Sequence, residues 1–183
     1  MGLFSKKIEE KVKANFLQIL QRKGTPYEEN GMIVKVPFLY YQPKVDELDY
    51  DGIYINFKYI KGDEILLRVS TLLKIPCYED WLEIEADKED SQFNTLQKEM
   101  KKVKFYLEFI KQNELRYPVM CFYAAYGGWT EEELFDQVEF FAKSLPGVKR
   151  ILLRIFMSYG IMAPMNEAGR SVFNYYVNQY NGS

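Results

Sequence analysis

The chain has 183 residues, enough for one domain or one domain with an extension. Hydrophobic residues make up 48% and charged residues 27%, which excludes a disordered chain, and the net charge of −2 sets up no field to gather nucleic acid or an anionic membrane. There is no histidine, which removes Ser-His-Asp and Cys-His catalysis, the commonest zinc sites and the usual proton shuttle near neutral pH.

The spacing predicts a first helix over about 5–23, with Ile8, Val12, Phe16, Ile19 and Leu20 on one face and Gly24 and Pro26 as the stop. A Glu29-Asn30-Gly31 turn opens a strand in which Met32, Val34, Val36 and Phe38 alternate with Lys35 and Pro37. Pro37 has no N–H to donate, so this strand lies at an edge or ends early. After an acidic loop over 41–51, Ile53, Ile55, Phe57 and Tyr59 alternate as a half-buried strand. Ile65, Leu67, Val69 and Thr71 follow in the same pattern. The tight Lys61-Gly62-Asp63 link makes this pair the clearest hairpin in the chain.

Residues 76–90 are acidic, with Trp81, Leu82 and Ile84 embedded, and read as either loop or helix start. Ser91 can cap a helix over about 91–101 that shows Phe93, Leu96 and Met100 on one face. Phe105, Leu107 and Phe109 alternate as a strand, and Gln112-Asn113-Glu114 turns the chain. The stretch 119–126 is apolar on both faces, as a central strand is. Gly127-Gly128 ends it. Thr130-Glu131-Glu132-Glu133 is a capping box, and Leu134, Val138, Phe141 and Leu145 give a helical face over about 131–145. Pro146-Gly147 is expected to break that helix. Val148, Ile151, Leu152, Ile155, Phe156 and Tyr159 predict another helix over 148–162, folded onto the body, and Tyr176 and Tyr180 lie on a last one.

The order α-βββ-α-ββ-α with a C-terminal helical extension predicts a two-layer α+β fold: about five antiparallel strands with helices packed on the sheet. The division expected is a domain over 1–147 and an extension over 148–183 packed on that same domain. Three stretches carry a family resemblance: Tyr27-Glu28-Glu29-Asn30-Gly31-Met32-Ile33-Val34, Asn94 running into Lys102-Val103-Lys104-Phe105-Tyr106-Leu107, and Tyr126-Gly127-Gly128-Trp129-Thr130-Glu131-Glu132-Glu133. Over roughly residues 5–145 the chain resembles the YbjN family and the type III secretion chaperone-like fold. The resemblance implies a module that holds protein partners on a sheet with flanking helices, often as a dimer.

No catalytic, cofactor or metal set assembles from the residues. Glu47-Leu48-Asp49-Tyr50-Asp51-Gly52 imitates a calcium loop, but Lys58 stands where the closing bidentate Glu belongs. Lys98, Lys101, Lys102 and Lys104 read as a solvated helix face rather than a nucleic-acid patch. Cys77 and Cys121 are too few for a disulfide framework and read as reduced thiols. Cys121 reads as a packed small hydrophobe, and the acids beside Cys77 are expected to raise its pKa. Met1-Gly2-Leu3-Phe4-Ser5-Lys6-Lys7 shows no signal-peptide pattern, and no run of 18 apolar residues occurs, so the expectation is a cytoplasmic protein without a membrane partner.

The function expected is therefore non-enzymatic protein binding, chaperone-like or regulatory, with no cofactor and no nucleic acid, and with a second copy of the chain as one candidate partner. Trp81, Ile84, Tyr175, Tyr176 and Tyr180 are the candidate partner-binding residues. One alternative is a regulatory or effector-neutralising protein that sets the acidic 76–90 segment on a basic partner. The other is an enzyme that works without histidine.

Overall fold

A computed structural model describes residues 3–37, 52–78, 83, 86–113 and 115–158. Its elements are α1 (Leu3–Arg22), β1 (Glu28–Asn30), β2 (Ile33–Val36), β3 (Ile53–Lys61), β4 (Glu64–Leu72), β5 (Cys77–Tyr78), α2 (Gln92–Lys102), β6 (Tyr106–Gln112), β7 (Leu115–Ala125) and α3 (Glu131–Ser158). The fold is α+β. Seven strands, rather than about five, form one antiparallel sheet in the order β1-β2-β3-β4-β7-β5, with β6 also paired to β7. The extra strands are short. β1 is Glu-Glu-Asn, exposed throughout, so it carries no alternation, and β5 has two residues.

The chain divides into two compact units. The first takes in Met1–Tyr41, Gly52–Thr71 and Cys121–Lys143. Here Ile53, Ile55 and Phe57 of β3 are buried while Tyr54 and Asn56 are half-buried, the period-two pattern of a strand with one face inward. β3 and β4 form the expected hairpin, closed at Lys61↔Glu64 around Gly62-Asp63, with a shift of register between Asn56 and Tyr59. β2 lies between β1 and β3 and stops at Val36, so Pro37 marks an end and not an edge. Gly52, at φ +104°, passes so close that a Cβ there would meet the Val36 carbonyl oxygen at 3.0 Å. Phe16 of α1 packs on Phe57 at 5.7 Å between ring centroids, and Phe141 of α3 on Phe122 at 5.4 Å.

The start of α1 departs from the expected face. Ile8 is 53% exposed and Glu9 only 6%. Seven residues are close to two helical turns, so Glu9 stands almost directly over Phe16, whereas Ile8 is rotated well away from it.

The second unit takes in Gln42–Asp51, Leu72–Met120 and Ser144–Ser183. β5 pairs with β7 at Cys77↔Arg116 and Tyr78↔Leu115. Ser91 caps α2 as expected, its side chain accepting from the Asn94 N–H, and Phe93 packs on Phe109 of β6 at 5.7 Å. Asn113 turns the chain between β6 and β7 with φ +57°.

Pro146-Gly147 does not break the last helix. α3 runs unbroken from Glu131 to Ser158 with Pro146 inside it. Pro146 and Gly147 sit on its exposed side, while Ala142, Leu145, Val148, Leu152 and Phe156 form a buried stripe at three- and four-residue spacing. A helical proline costs about 3 kcal/mol and a glycine about 1, and each large side chain buried on that stripe returns roughly 1.5–3 kcal/mol. Tertiary burial therefore overrides the local stop signal.

Among the described residues no helix is long and apolar enough to cross a membrane. Trp81, Ile84, Tyr175, Tyr176 and Tyr180 all lie outside the described residues, as do 47–51 of the calcium-like loop and the last helix expected around Tyr176.

Candidate functional site

Among the described residues, polar and aromatic groups converge in the first unit, where α1 meets the turn from β7 into α3. That turn is Tyr126-Gly127-Gly128-Trp129-Thr130. Gly127 takes φ +81°, which bends the chain out of β7, and the Gly128 N–H donates to the Ala125 carbonyl at 3.1 Å. Trp129 is left 36% exposed. The capping box then closes as expected: the Glu133 N–H donates to Thr130 Oγ1 at 3.2 Å, and the Thr130 N–H to Glu133 Oε2 at 2.8 Å. The start of α3 thus displays Glu131 and Glu132 at the positive end of the helix, where carboxylates are favoured.

α1 answers some of these charges and leaves others. Arg22 forms an ion pair with Glu132. Asn15 Nδ2 donates to Glu131 Oε1 at 3.0 Å, a neutral donor that fixes the carboxylate without cancelling its charge. Between these contacts lies a groove of about 350 Å³, lined by Asn15, Gln18, Arg22, Thr130, Glu131 and Glu132. On the other side of Thr130 and Glu131 is a crevice of about 20 Å³ among Val12, Leu67, Tyr126, Trp129 and Leu134.

One polar group at this crevice is unsatisfied. The Tyr126 hydroxyl is buried without a hydrogen-bond partner. Burial raises the Tyr126 pKa, and the charge of Glu9 raises it further. Lys13 of α1 pairs with Glu29 at 2.7 Å and donates to the Gly31 carbonyl at 2.6 Å, and Lys23, just past the end of α1, lies over the Phe135 ring at 4.7 Å.

The sequence reading places Tyr126 through Thr130 in one motif but misses Glu9. The signal for Glu9 is its seven-residue spacing from Phe16, which hydrophobicity assigns to Ile8 instead. Of the acidic 76–90 segment, the described Glu83, Asp87, Glu89 and Asp90 are exposed. Among the described residues no three His, Cys, Asp or Glu side chains gather as a metal site requires. Both cysteines are buried and free. The Cys77 thiol is pushed up to about 12, in the expected direction but for a different reason: burial raises it, and the Arg116 charge works against the rise. Cys121 is fully buried in β7, its sulfur 3.8 Å from the Tyr123 hydroxyl.

No family model, no curated protein and no solved structure matches the chain.

Proposed function

We propose that the protein is a non-enzymatic, cytoplasmic protein-binding module of the YbjN-like, secretion-chaperone-like class, and that it engages its partner at the junction of α1 with the start of α3. The observation that carries this reading is Trp129, a third exposed after a two-glycine turn and flanked by the Glu131 carboxylate and the unsatisfied Tyr126 hydroxyl. An aromatic anchor beside partly desolvated polar groups is the composition of a binding hot spot. The groove on the other side of Thr130 has room for side chains of an extended or helical segment.

A displayed library of random peptides selected on the full chain tests this. Selected peptides are expected to bind in solution and to lose about tenfold or more of their affinity in Trp129→Ala, a loss ordinary for an aromatic anchor. Peptides that bind Trp129→Ala as well as the parent chain would show that the junction is not the contact face.

A further inference from the structure

We propose that the outer edge of β6 is a strand-addition site, and that it takes an extended segment of a protein partner in which apolar and acidic residues alternate. This surface lies in the second unit, is separate from the Trp129 junction and does not depend on it.

β6 pairs with β7 on one side, and among the described residues nothing pairs with its other side. A strand so placed presents a row of backbone N–H and C=O groups to an incoming chain. Sheets guard such edges by keeping them short, charged or interrupted by proline. β1, at one end of the strand order, is guarded in this way: it has three residues, two of them glutamates. β6 is longer and more apolar. Its seven residues, Tyr-Leu-Glu-Phe-Ile-Lys-Gln, run for about 23 Å without proline or glycine. Ile110 is 53% exposed and Tyr106 37%.

The two faces of β6 decide the pattern of the partner. Side chains alternate along a strand, so Tyr106, Glu108 and Ile110 leave one face, and Leu107, Phe109 and Lys111 the other. Phe93 of α2 packs on Phe109, which puts α2 on the second of these faces. The face away from α2 therefore shows the exposed Tyr106 and Ile110. The face that carries α2 shows cations: Lys111 on the strand, the exposed Lys98 and Lys101 of α2, and Lys104 at the entry to β6. Lys102 is taken by Glu99 at 2.6 Å, whereas Lys98, Lys101 and Lys104 have no ion pair among the described residues. Over 98–112 five lysines stand against two glutamates, a local charge of +3 in a chain whose net charge is −2. A strand laid along β6 continues both faces. Its side chains away from α2 meet Tyr106 and Ile110 and are apolar, and those between them meet the lysines and are acidic. Backbone pairing supplies the affinity and this alternation the selectivity.

The test adds blocked probes, matched in length to the seven residues of β6, to the full chain. One alternates valine with glutamate, one valine with lysine, and one serine with glutamate. Binding is read by anisotropy of a labelled probe and by backbone hydrogen exchange of the chain. The valine–glutamate probe is expected to bind saturably and to slow exchange over 106–112. Its affinity should fall several-fold between about 0.05 M and about 0.5 M salt. The lysine and serine probes are expected to bind about tenfold more weakly or worse, since one reverses the charge and the other removes the apolar contact. Ile110→Thr keeps strand preference at an exposed position and should weaken the valine–glutamate probe about fivefold, and Lys111→Glu by about as much or more. Trp129→Ala should leave this probe unaffected.

No saturable binding of the valine–glutamate probe, binding that leaves exchange over 106–112 unchanged, equal binding of the three probes, or binding untouched by both Ile110→Thr and Lys111→Glu would each overturn the proposal. If the probe ignores those two substitutions and is lost in Trp129→Ala, it sits at the junction: the edge site fails and the reading of the junction stands. If the probe behaves as expected while library-selected peptides bind Trp129→Ala as well as the parent chain, the junction fails and the edge site stands.

Discussion

The starts of α2 and α3 use the same device and spend it differently. At α2, Ser91 Oγ accepts from the Asn94 N–H, Asn94 Nδ2 donates to the Ala86 and Lys88 carbonyls, and Thr95 Oγ1 donates to the Ser91 carbonyl. Those side-chain groups are spent on neighbouring backbone, as a helix end requires. At α3, Thr130 and Glu133 complete the cap between themselves, and Arg22 answers Glu132. That leaves Glu131 held by a neutral amide, the Tyr126 hydroxyl without a hydrogen-bond partner among the described residues, and an exposed Trp129. The difference separates a helix start that serves the fold from one that carries more charge and aromatic surface than the fold uses. Such a surplus marks a place where local rules are relaxed for function.

The sharpest test of that contrast is truncation just inside or beside each start. Phe93, 1% exposed and packed on Phe109, is core, so Phe93→Ala should lower stability by about 3–5 kcal/mol in urea unfolding. Trp129→Ala should cost less than about 1 kcal/mol, because its ring is already partly in water, while peptide binding collapses. Losses of equal size in the two variants would make Trp129 a structural residue and remove the contrast.

Alkaline titration separates the two regions next. Cys77 ionises at 9.0 when solvated and near 12 in the folded chain. The folded state therefore binds more protons than the unfolded one above pH 9, and stability falls as pH rises through that window. Because Cys77 is fully buried, the loss is on the order of 1.4 kcal/mol per pH unit, or about 3–6 °C in Tm, and Cys77→Ala should flatten it. The raised Tyr126 gives a fall of the same sign that begins later, above its ordinary value of 10.0, and that Tyr126→Phe removes. A stability curve that rises between pH 9 and 11 would contradict both assignments.

The caps themselves should behave alike. Ser91→Ala and Thr130→Ala should each cost about 1 kcal/mol, since each removes one acceptor from a helix N-terminus. Both caps could be read from the chain because they are local: a hydroxyl, a spacing of three and an apolar face suffice. The β3–β4 hairpin and the central β7 were legible for the same reason, having strong alternation or an unbroken apolar run. What stayed hidden depends on tertiary context. Glu9 and Ile8 are adjacent, and only packing against the body decides which one turns inward. Pro146 and Gly147 announce a stop that the buried stripe of α3 overrides. The groove beside Thr130 joins residues more than a hundred positions apart, such as Asn15 and Glu131, and no window along the chain contains both.

The smallest expected change has an unusual sign. Most substitutions at a buried position destabilise, yet Tyr126→Phe should leave stability unchanged or raise it by about 1 kcal/mol or less, because it removes a buried hydroxyl that has no hydrogen-bond partner among the described residues. Ser91 at the other helix start offers no such gain, since its oxygen is already used. Tyr126 is then a residue that holds stability below what the fold could reach. Urea midpoints of Tyr126→Phe and the parent chain, measured at pH 7, decide the point. A loss beyond about 1 kcal/mol would mean that the hydroxyl is already satisfied within the fold, and the surplus at α3 would shrink to Trp129 and Glu131.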